Sequence, residues 1–546
     1  MKPQHAFLSY ALLGSASTLT VPSEVHVSLS KEKSHSPPSN KSSINWVECD
    51  LDFGEAYNAA LAKLPEKPAC AKLEVPLDYT NHSSDETIEL QLIKYNATKT
   101  PFKGSILYNP GGPGGSSVES VALSGLDLRD IAGGHYDLIG FDTRGTGNTI
   151  PFVCNTSSPD AGSLLRRDFN TLAQVDVWEY LKTTYWDMAG TFAEECYEAQ
   201  RKYGRFISTP FVARDMISIA DALGQGAKVN FWGVSYGTVL GQVFASMFPD
   251  RVGRLLLDAN LLAEDYAVTT WVTSQRDTER ALHNLLDECV NAGPQVCGLA
   301  SFAGNGTTVD DLMMAVNNAI EKLMTVKNDT SGYGDPATAF KGSLMAELYS
   351  PTMFPNAIKR IHHALTGNFT AATAPAPPQL ESFWNEAGSS AVFGISCGDS
   401  SFRAENQDDL YSIYQAHKEQ SSFGDTVSQS RLLCSRWKFD AAESIDLNSL
   451  RNVKTSFPAL IVNGRYDPVT PASTAWEVSA RLRNSRTLIH YGAGHGFTSH
   501  PSNCTNAIVK DYFQDGKLPE VGTTCEPNMT AFEYYAELVR KAREGK

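Results

Sequence analysis

The sequence predicts an α/β fold: a mostly parallel central sheet with helices on both faces and a large, mainly helical cap insertion. Three observations predict it. From about Trp46 onward, short apolar runs of β-forming residues alternate with helical patterns, the order a parallel sheet requires. At 546 residues the chain exceeds the size of a single core, so it needs a second domain or a large insertion. Between Asn260 and Phe457 the pattern is helical with no clear strand, which reads as an insertion after a sheet strand.

Strands are expected at Leu73–Leu77, Ile88–Tyr95, Ser105–Tyr108, Leu138–Phe141, Asn230–Trp232, Arg254–Leu257, Ala459–Val462 and Thr487–His490. The first two should form an antiparallel edge. Helices are expected at Ala213–Leu223, stopped by Gly224, and at Val239–Met247, with Thr278–Cys289 and Thr308–Met324 in the insertion. The domain plan is a core in two parts, 46–260 and 456–546, separated by a cap at 261–455. Ahead of it, residues 1–17 read as a signal peptide: Lys2, an apolar run from Ala6 to Leu13, then small residues from Gly14 to Ser17. Residues 18–45, rich in Ser, Pro, Lys and Glu, read as a disordered leader.

A composition of 42% hydrophobic and 20% charged residues is ordinary for a globular protein. A net charge of −15 argues against nucleic-acid partners, because phosphate binding needs concentrated Lys and Arg. No run approaches the ~20 apolar residues of a membrane helix. Ten cysteines fall into five sequence-adjacent pairs without metal-ligand spacing, which favours disulfides, although their connectivity is open at this stage. Nine Asn-x-Ser/Thr sequons, at Asn40, Asn81, Asn96, Asn155, Asn305, Asn328, Asn368, Asn503 and Asn528, add an expectation of N-linked glycans and a secreted product.

Chemistry concentrates at Gly233-Val234-Ser235-Tyr236-Gly237, between a strand pattern and a helix pattern. There G-x-S-x-G marks a turn too tight for nearby Cβ atoms, which lifts the serine hydroxyl above the sheet. A serine hydroxyl needs a histidine to take its proton and a carboxylate to orient that histidine. The α/β-hydrolase fold presents these in the chain order Ser, Asp, His, and Asp467 and His495 each follow a strand in that order. Asp258, at the end of another strand, is the rival acid. His500 is the rival base, but Pro501 and the Asn503 sequon suggest an exposed loop around it. Asn109-Pro110-Gly111-Gly112-Pro113-Gly114-Gly115 follows a strand, and its bare backbone, with the residue after the nucleophile, points to Gly112 and Tyr236 amides as oxyanion donors. The loop lacks the Gly-Lys-Ser/Thr ending of a phosphate-binding loop. Asp142 to Gly147 reads as a brace for neighbouring loops. No cofactor or metal is called for.

Together these blocks resemble the tripeptidyl-aminopeptidase-like branch of the proline-iminopeptidase serine peptidases. The resemblance rests on Val75-Pro76-Leu77-Asp78-Tyr79, Asn109 to Gly115, Phe141 to Gly147, Gly233 to Gly237, Cys397-Gly398-Asp399, and Asn463 to Pro471 with His495. It spans about Cys49 to Cys525. It implies a serine aminopeptidase with a large cap, releasing residues or short peptides from free amino termini through an acyl-enzyme. Proline iminopeptidases carry His where this chain has Pro110, and a Trp-bearing elbow, so strict proline specificity is not implied. The same triad would serve an esterase or lactonase on small esters, and a catalytically silent secreted binding protein is the reading from another class. An aminopeptidase must pair a substrate ammonium with a carboxylate. Asp399, Glu405 and Glu119 are the candidates by position, with Asp399 preferred because a disulfide at Cys397 would fix it.

Overall fold

The computed structural model describes residues 44–154, 172–268, 270–326, 335–376 and 388–544. The expected signal peptide and all but the last two residues of the leader lie outside them, as do the sequons at Asn40, Asn155 and Asn328. Ten strands form one sheet: β1 (Val47–Glu48), β2 (Ala69–Pro76), β3 (Thr87–Tyr95), β4 (Ser105–Asn109), β5 (Asp137–Phe141), β6 (Val229–Val234), β7 (Val252–Asp258), β8 (Leu460–Tyr466), β9 (Arg486–Ala493) and β10 (Thr524–Cys525). Their order is β1-β2-β3-β5-β4-β6-β7-β8-β9-β10. Pairing is antiparallel from β1 to β5 and parallel from β5 through β4 to β10.

All eight expected strands are present, the first two antiparallel as expected. The two-residue strands β1 and β10 carry no periodicity to read, and were missed.

Adjacent residues of the central strands divide between two cores, as alternation requires. Leu107, Ile139, Phe231, Leu255 and Ile461 join one apolar cluster, while their neighbours Ile106, Leu138, Trp232, Leu256 and Leu460 join the other. Both faces are therefore covered, which is why these strands read as unbroken apolar runs. Leaving β4, the chain goes to β5 on one side and returns to β6 on the other. In parallel sheets such a reversal opens a crevice at the carboxyl ends of the strands. Here it sets the loop after β4 beside the loop after β6, with Asn109 in register with Gly233.

The insertion between β7 and β8 is helical, including Thr278–Ala292, Val309–Leu323, Pro336–Glu347, Phe354–Leu365, Gly388–Asp399, Tyr411–Gln420 and Gly424–Arg431. Leu282, Leu285, Leu312, Val316, Phe340 and Leu344 belong to its own core. Thr308 caps Val309–Leu323 through a reciprocal bond with Asp311, so that helix starts where the sequence placed it. A second helical block, Trp186–Ala199, lies between β5 and β6. It joins the helical layer, since Arg436 sits over the Trp186 ring at 4.2 Å and Phe192 meets Phe393. Trp186 and Phe192 also belong to the apolar cluster that holds Leu107 and Ile139 of the sheet.

The ten cysteines pair as sequence neighbours: Cys49–Cys70, Cys154–Cys196, Cys289–Cys297, Cys397–Cys434 and Cys504–Cys525. Among the described residues, no helix is long and apolar enough to cross a membrane.

Candidate active site

Ser235 sits between β6 and the helix Tyr236–Met247 with φ +58° and ψ −123°, a conformation rare for a residue with a side chain. Its surroundings enforce the turn. A Cβ on Gly233 would lie 2.2 Å from the Gly237 carbonyl oxygen, so only glycine closes it. From the other side, Gly111 approaches so closely that a Cβ there would meet the Val234 carbonyl oxygen at 2.4 Å and Ser235 Cβ at 2.6 Å. Strain held by packing at one half-buried serine is a mark of functional backbone.

The loop after β8 carries Asp467 and the loop after β9 carries His495. Imidazole Nδ1 lies 2.9 Å from Asp467 Oδ2 and 3.1 Å from Oδ1. The buried carboxylate is held by its own loop: Val469 and Thr470 amides donate to Oδ1 at 2.9 Å each, and the Thr470 hydroxyl donates to Oδ2 at 2.6 Å. Burial pulls the His495 pKa down, but the charge and hydrogen bond of Asp467, with the charge of Asp258, more than offset it and leave it above the ordinary 6.5. Gly496 then sits against Val234, where a Cβ would come within 3.5 Å of Val234 Cγ1, so the histidine loop adjoins the serine turn.

The rivals part on geometry. Asp258 accepts from the Phe497 amide at 3.2 Å rather than from an imidazole, and burial pushes its pKa up to about 8. His500 is buried, contrary to the exposed loop expected of it: Nδ1 accepts the Ala493 amide at 3.1 Å and Nε2 donates to the Met529 carbonyl at 2.8 Å. Its ring faces inward although Asn503, three residues on, is exposed.

In the glycine-rich loop, the Gly111 amide is taken by Asn109 Oδ1 at 3.0 Å, Pro113 has no N–H, and the Gly115 amide is taken by the Gly111 carbonyl. Gly112, at φ +108°, lies within this loop, and the first-turn amide of Tyr236 has no acceptor within its own helix. Asp142 accepts from Ser116 Oγ at 2.7 Å and from the Val118 amide at 3.1 Å, anchoring the helix that follows the loop. Arg144 is buried and forks onto Asp215 at 2.8 and 2.9 Å while donating to the Pro76 and Leu77 carbonyls at 2.6 Å each. Tyr79 completes the knot at 2.8 Å from Asp215. The blocks Val75–Tyr79 and Phe141–Gly147 thus brace one another.

The three carboxylates proposed for an ammonium are not brought together. Asp399 is buried and already accepts three protein hydrogen bonds, from the Thr209 amide, the Thr209 hydroxyl and the Tyr266 hydroxyl. Glu405 is exposed. Glu119, in the first turn of Ser117–Ile131, pairs with the Tyr57 hydroxyl. Three of the acceptor positions that the expected ammonium anchor at Asp399 would offer are thus taken by the fold.

Sequence reasoning missed two further supports of the site. Thr470 was legible, since Asp followed at the third place by Thr is a local side-chain-to-backbone pattern. Tyr349 was not: its carbonyl accepts the His495 amide at 2.8 Å and its ring meets the imidazole edge-on at 5.2 Å, across 145 residues of intervening chain. Among the described residues, no group of three or more His, Cys, Asp or Glu is gathered in a way that could hold a metal ion.

A strained serine elbow beside a carboxylate-held histidine, at the carboxyl edge of this sheet, is the arrangement of a serine hydrolase of the α/β-hydrolase fold. A family model described as "alpha/beta hydrolase fold" matches residues 104–289, and one described as "TAP-like protein" matches 419–525. The chain is 25% identical to a tripeptidyl aminopeptidase of Streptomyces lividans, covering 90% of this chain and 88% of that protein. It is 26% identical to serine protease Hip1 of Mycobacterium tuberculosis, covering 88% and 91%. A carboxylesterase B of the same species is 24% identical, covering 88% and 90%. The chain is a serine hydrolase of the α/β-hydrolase fold with a TAP-like carboxyl-terminal region.

Proposed function

We propose that this protein is a secreted serine aminopeptidase that releases short peptides from free amino termini. Ser235 is the nucleophile, His495 the general base and Asp467 the acid that orients it. The observation that carries the assignment is the 2.9 Å contact from His495 Nδ1 to Asp467 in a loop packed against the serine turn. With Nδ1–H held by the carboxylate, the lone pair lies on Nε2, the nitrogen that takes the serine proton. Ser235 Oγ then bonds to the scissile carbonyl carbon, and the oxyanion accepts the Gly112 and Tyr236 amides. Collapse of the adduct expels the amine, which leaves with the proton from His495. Water, deprotonated by the same imidazole, releases the acyl group and restores Ser235.

The names of the tripeptidyl aminopeptidase and Hip1 relatives support peptide substrates. Five disulfides and exposed sequon asparagines at Asn81, Asn96, Asn305, Asn368, Asn503 and Asn528 support a secretory route with glycosylation. Similarity to a carboxylesterase favours, as the second reading, hydrolysis of small esters by the same triad. Incubation with paired free and amino-acetylated peptides, with products read by mass spectrometry, separates them. Cleavage confined to free peptides with release of short amino-terminal fragments is expected. Equal cleavage of both would overturn the aminopeptidase reading.

A further inference from the structure

Behind the nucleophile lies a buried polar chain that the reaction scheme above leaves without a role. The helix Gly388–Asp399 crosses the glycine-rich loop, with Ala391 against Gly114 and Ile395 against Gly145. Its last residues are pinned by the Cys397–Cys434 disulfide. At that end the Asp399 carboxylate accepts from the Thr209 amide at 2.7 Å, the Thr209 hydroxyl at 2.6 Å and the Tyr266 hydroxyl at 2.9 Å. Thr209 Oγ1 is also 2.6 Å from the Tyr236 hydroxyl. A threonine hydroxyl has one proton, and it is committed to the carboxylate, so Tyr236 must be the donor in that contact. The bonds therefore all run one way, from Tyr236 to Thr209 to Asp399, with Tyr266 joining from the side and packing its ring 5.5 Å from that of Tyr236.

Tyr236 is the residue after Ser235, and its amide is one of the two proposed oxyanion donors. We propose that Asp399 is a positioning residue for hydrolysis: through the Thr209 hydroxyl it fixes the Tyr236 side chain, and with it the amide that receives the oxyanion. This inference rests on the triad reading. Burial pushes the Asp399 pKa up to about 6, while the bonds from Thr209 and Tyr266 hold it down, so the carboxylate is ionised at neutral pH and can accept all three. Burial and that charge keep the Tyr236 and Tyr266 hydroxyls well above their ordinary 10, so both keep the protons they donate. An ammonium anchor would act on amine substrates alone. A positioning residue acts on every acyl substrate.

The test compares the unaltered protein with Asp399→Asn, Thr209→Val and Thr209→Ser, using a free-amine peptide anilide and p-nitrophenyl acetate. Melting temperature is measured alongside, and Thr209→Val covers the case in which Asp399→Asn fails to fold. Expected for Asp399→Asn and Thr209→Val is a fall in kcat of at least tenfold on both substrates with KM within about twofold, short of the roughly 10²–10³-fold cost of losing an oxyanion donor outright. Thr209→Ser, which keeps the hydroxyl, should restore most of kcat. A rise in KM confined to the amine substrate, or unchanged kcat in both variants, would overturn the proposal. Fluorophosphonate labelling of the unaltered protein keeps the two readings apart: if Ser235 is not labelled, the triad reading itself has failed.

Discussion

Asp258 ends β7 and Asp467 follows β8, and what separates them is the atom each touches. Asp467 meets the imidazole at 2.9 Å, whereas Asp258 meets the Phe497 amide. Asp467→Asn should therefore lower kcat by about 10⁴-fold, the scale of a triad histidine held in the wrong tautomer. Asp258→Asn should cost less than about tenfold, and steady-state rates in the reverse order would move the acid to Asp258. The histidine also fixes the pH dependence. Only neutral His495 can take a proton, and its pKa lies above 6.5, so kcat/KM should rise with pH through an apparent pKa above 6.5. Stability runs the opposite way. A histidine whose pKa is raised by folding contributes stability that is full below the unfolded value of 6.5 and is lost as pH climbs through the folded one. A pH–rate profile whose acid limb falls below 6.5 would contradict this environment for His495. At this scale the sequence was most informative where chemistry needs local geometry. Glycines around Ser235 and the loop positions of Asp467 and His495 are readable from neighbours alone. The burial of Asp399 and His500 is not, because the partners that enclose them, Thr209 and Met529, are distant in the chain or reached only when it folds back.

At the scale of elements, the braces explain why sequence blocks remote from the serine matter to it. Arg144 and Asp215 are both fully buried, so removing either leaves a charge with no counterpart in the interior. Arg144→Met or Asp215→Asn should each cost about 3–5 kcal/mol, and replacement of both by apolar residues much less. Thermal denaturation checks this, and single variants that melt like the unaltered protein would show the pair to be idle. Long strands and helices with caps were legible for the same reason that they are stable: periodicity, Gly224 as a stop, the Thr308–Asp311 cap. The layer on which the block Trp186–Ala199 packs was not legible, because an apolar helix face looks the same whichever layer it meets. Nothing local says that Phe192 meets Phe393.

For the whole molecule, five disulfides divide between the sheet layer and the cap, and reduction should lower the melting temperature. In the chain-entropy account the loss grows with loop length. Opening Cys154–Cys196, 42 residues apart, should cost about 1.5 kcal/mol more than opening Cys289–Cys297, 8 apart. Serine pairs at these positions, compared by melting temperature, test the ranking. The architecture was legible because a parallel sheet constrains its own connections. How the cap meets the sheet was not, since the Tyr349 carbonyl reaches His495 only after the insertion has folded over. The central claim, that this scaffold activates one serine, is tested most directly by a fluorophosphonate probe followed by mass mapping of the adduct. The account predicts one adduct per chain, on Ser235, whose formation slows strongly in His495→Ala. An adduct on another serine, or none on folded protein, would contradict it.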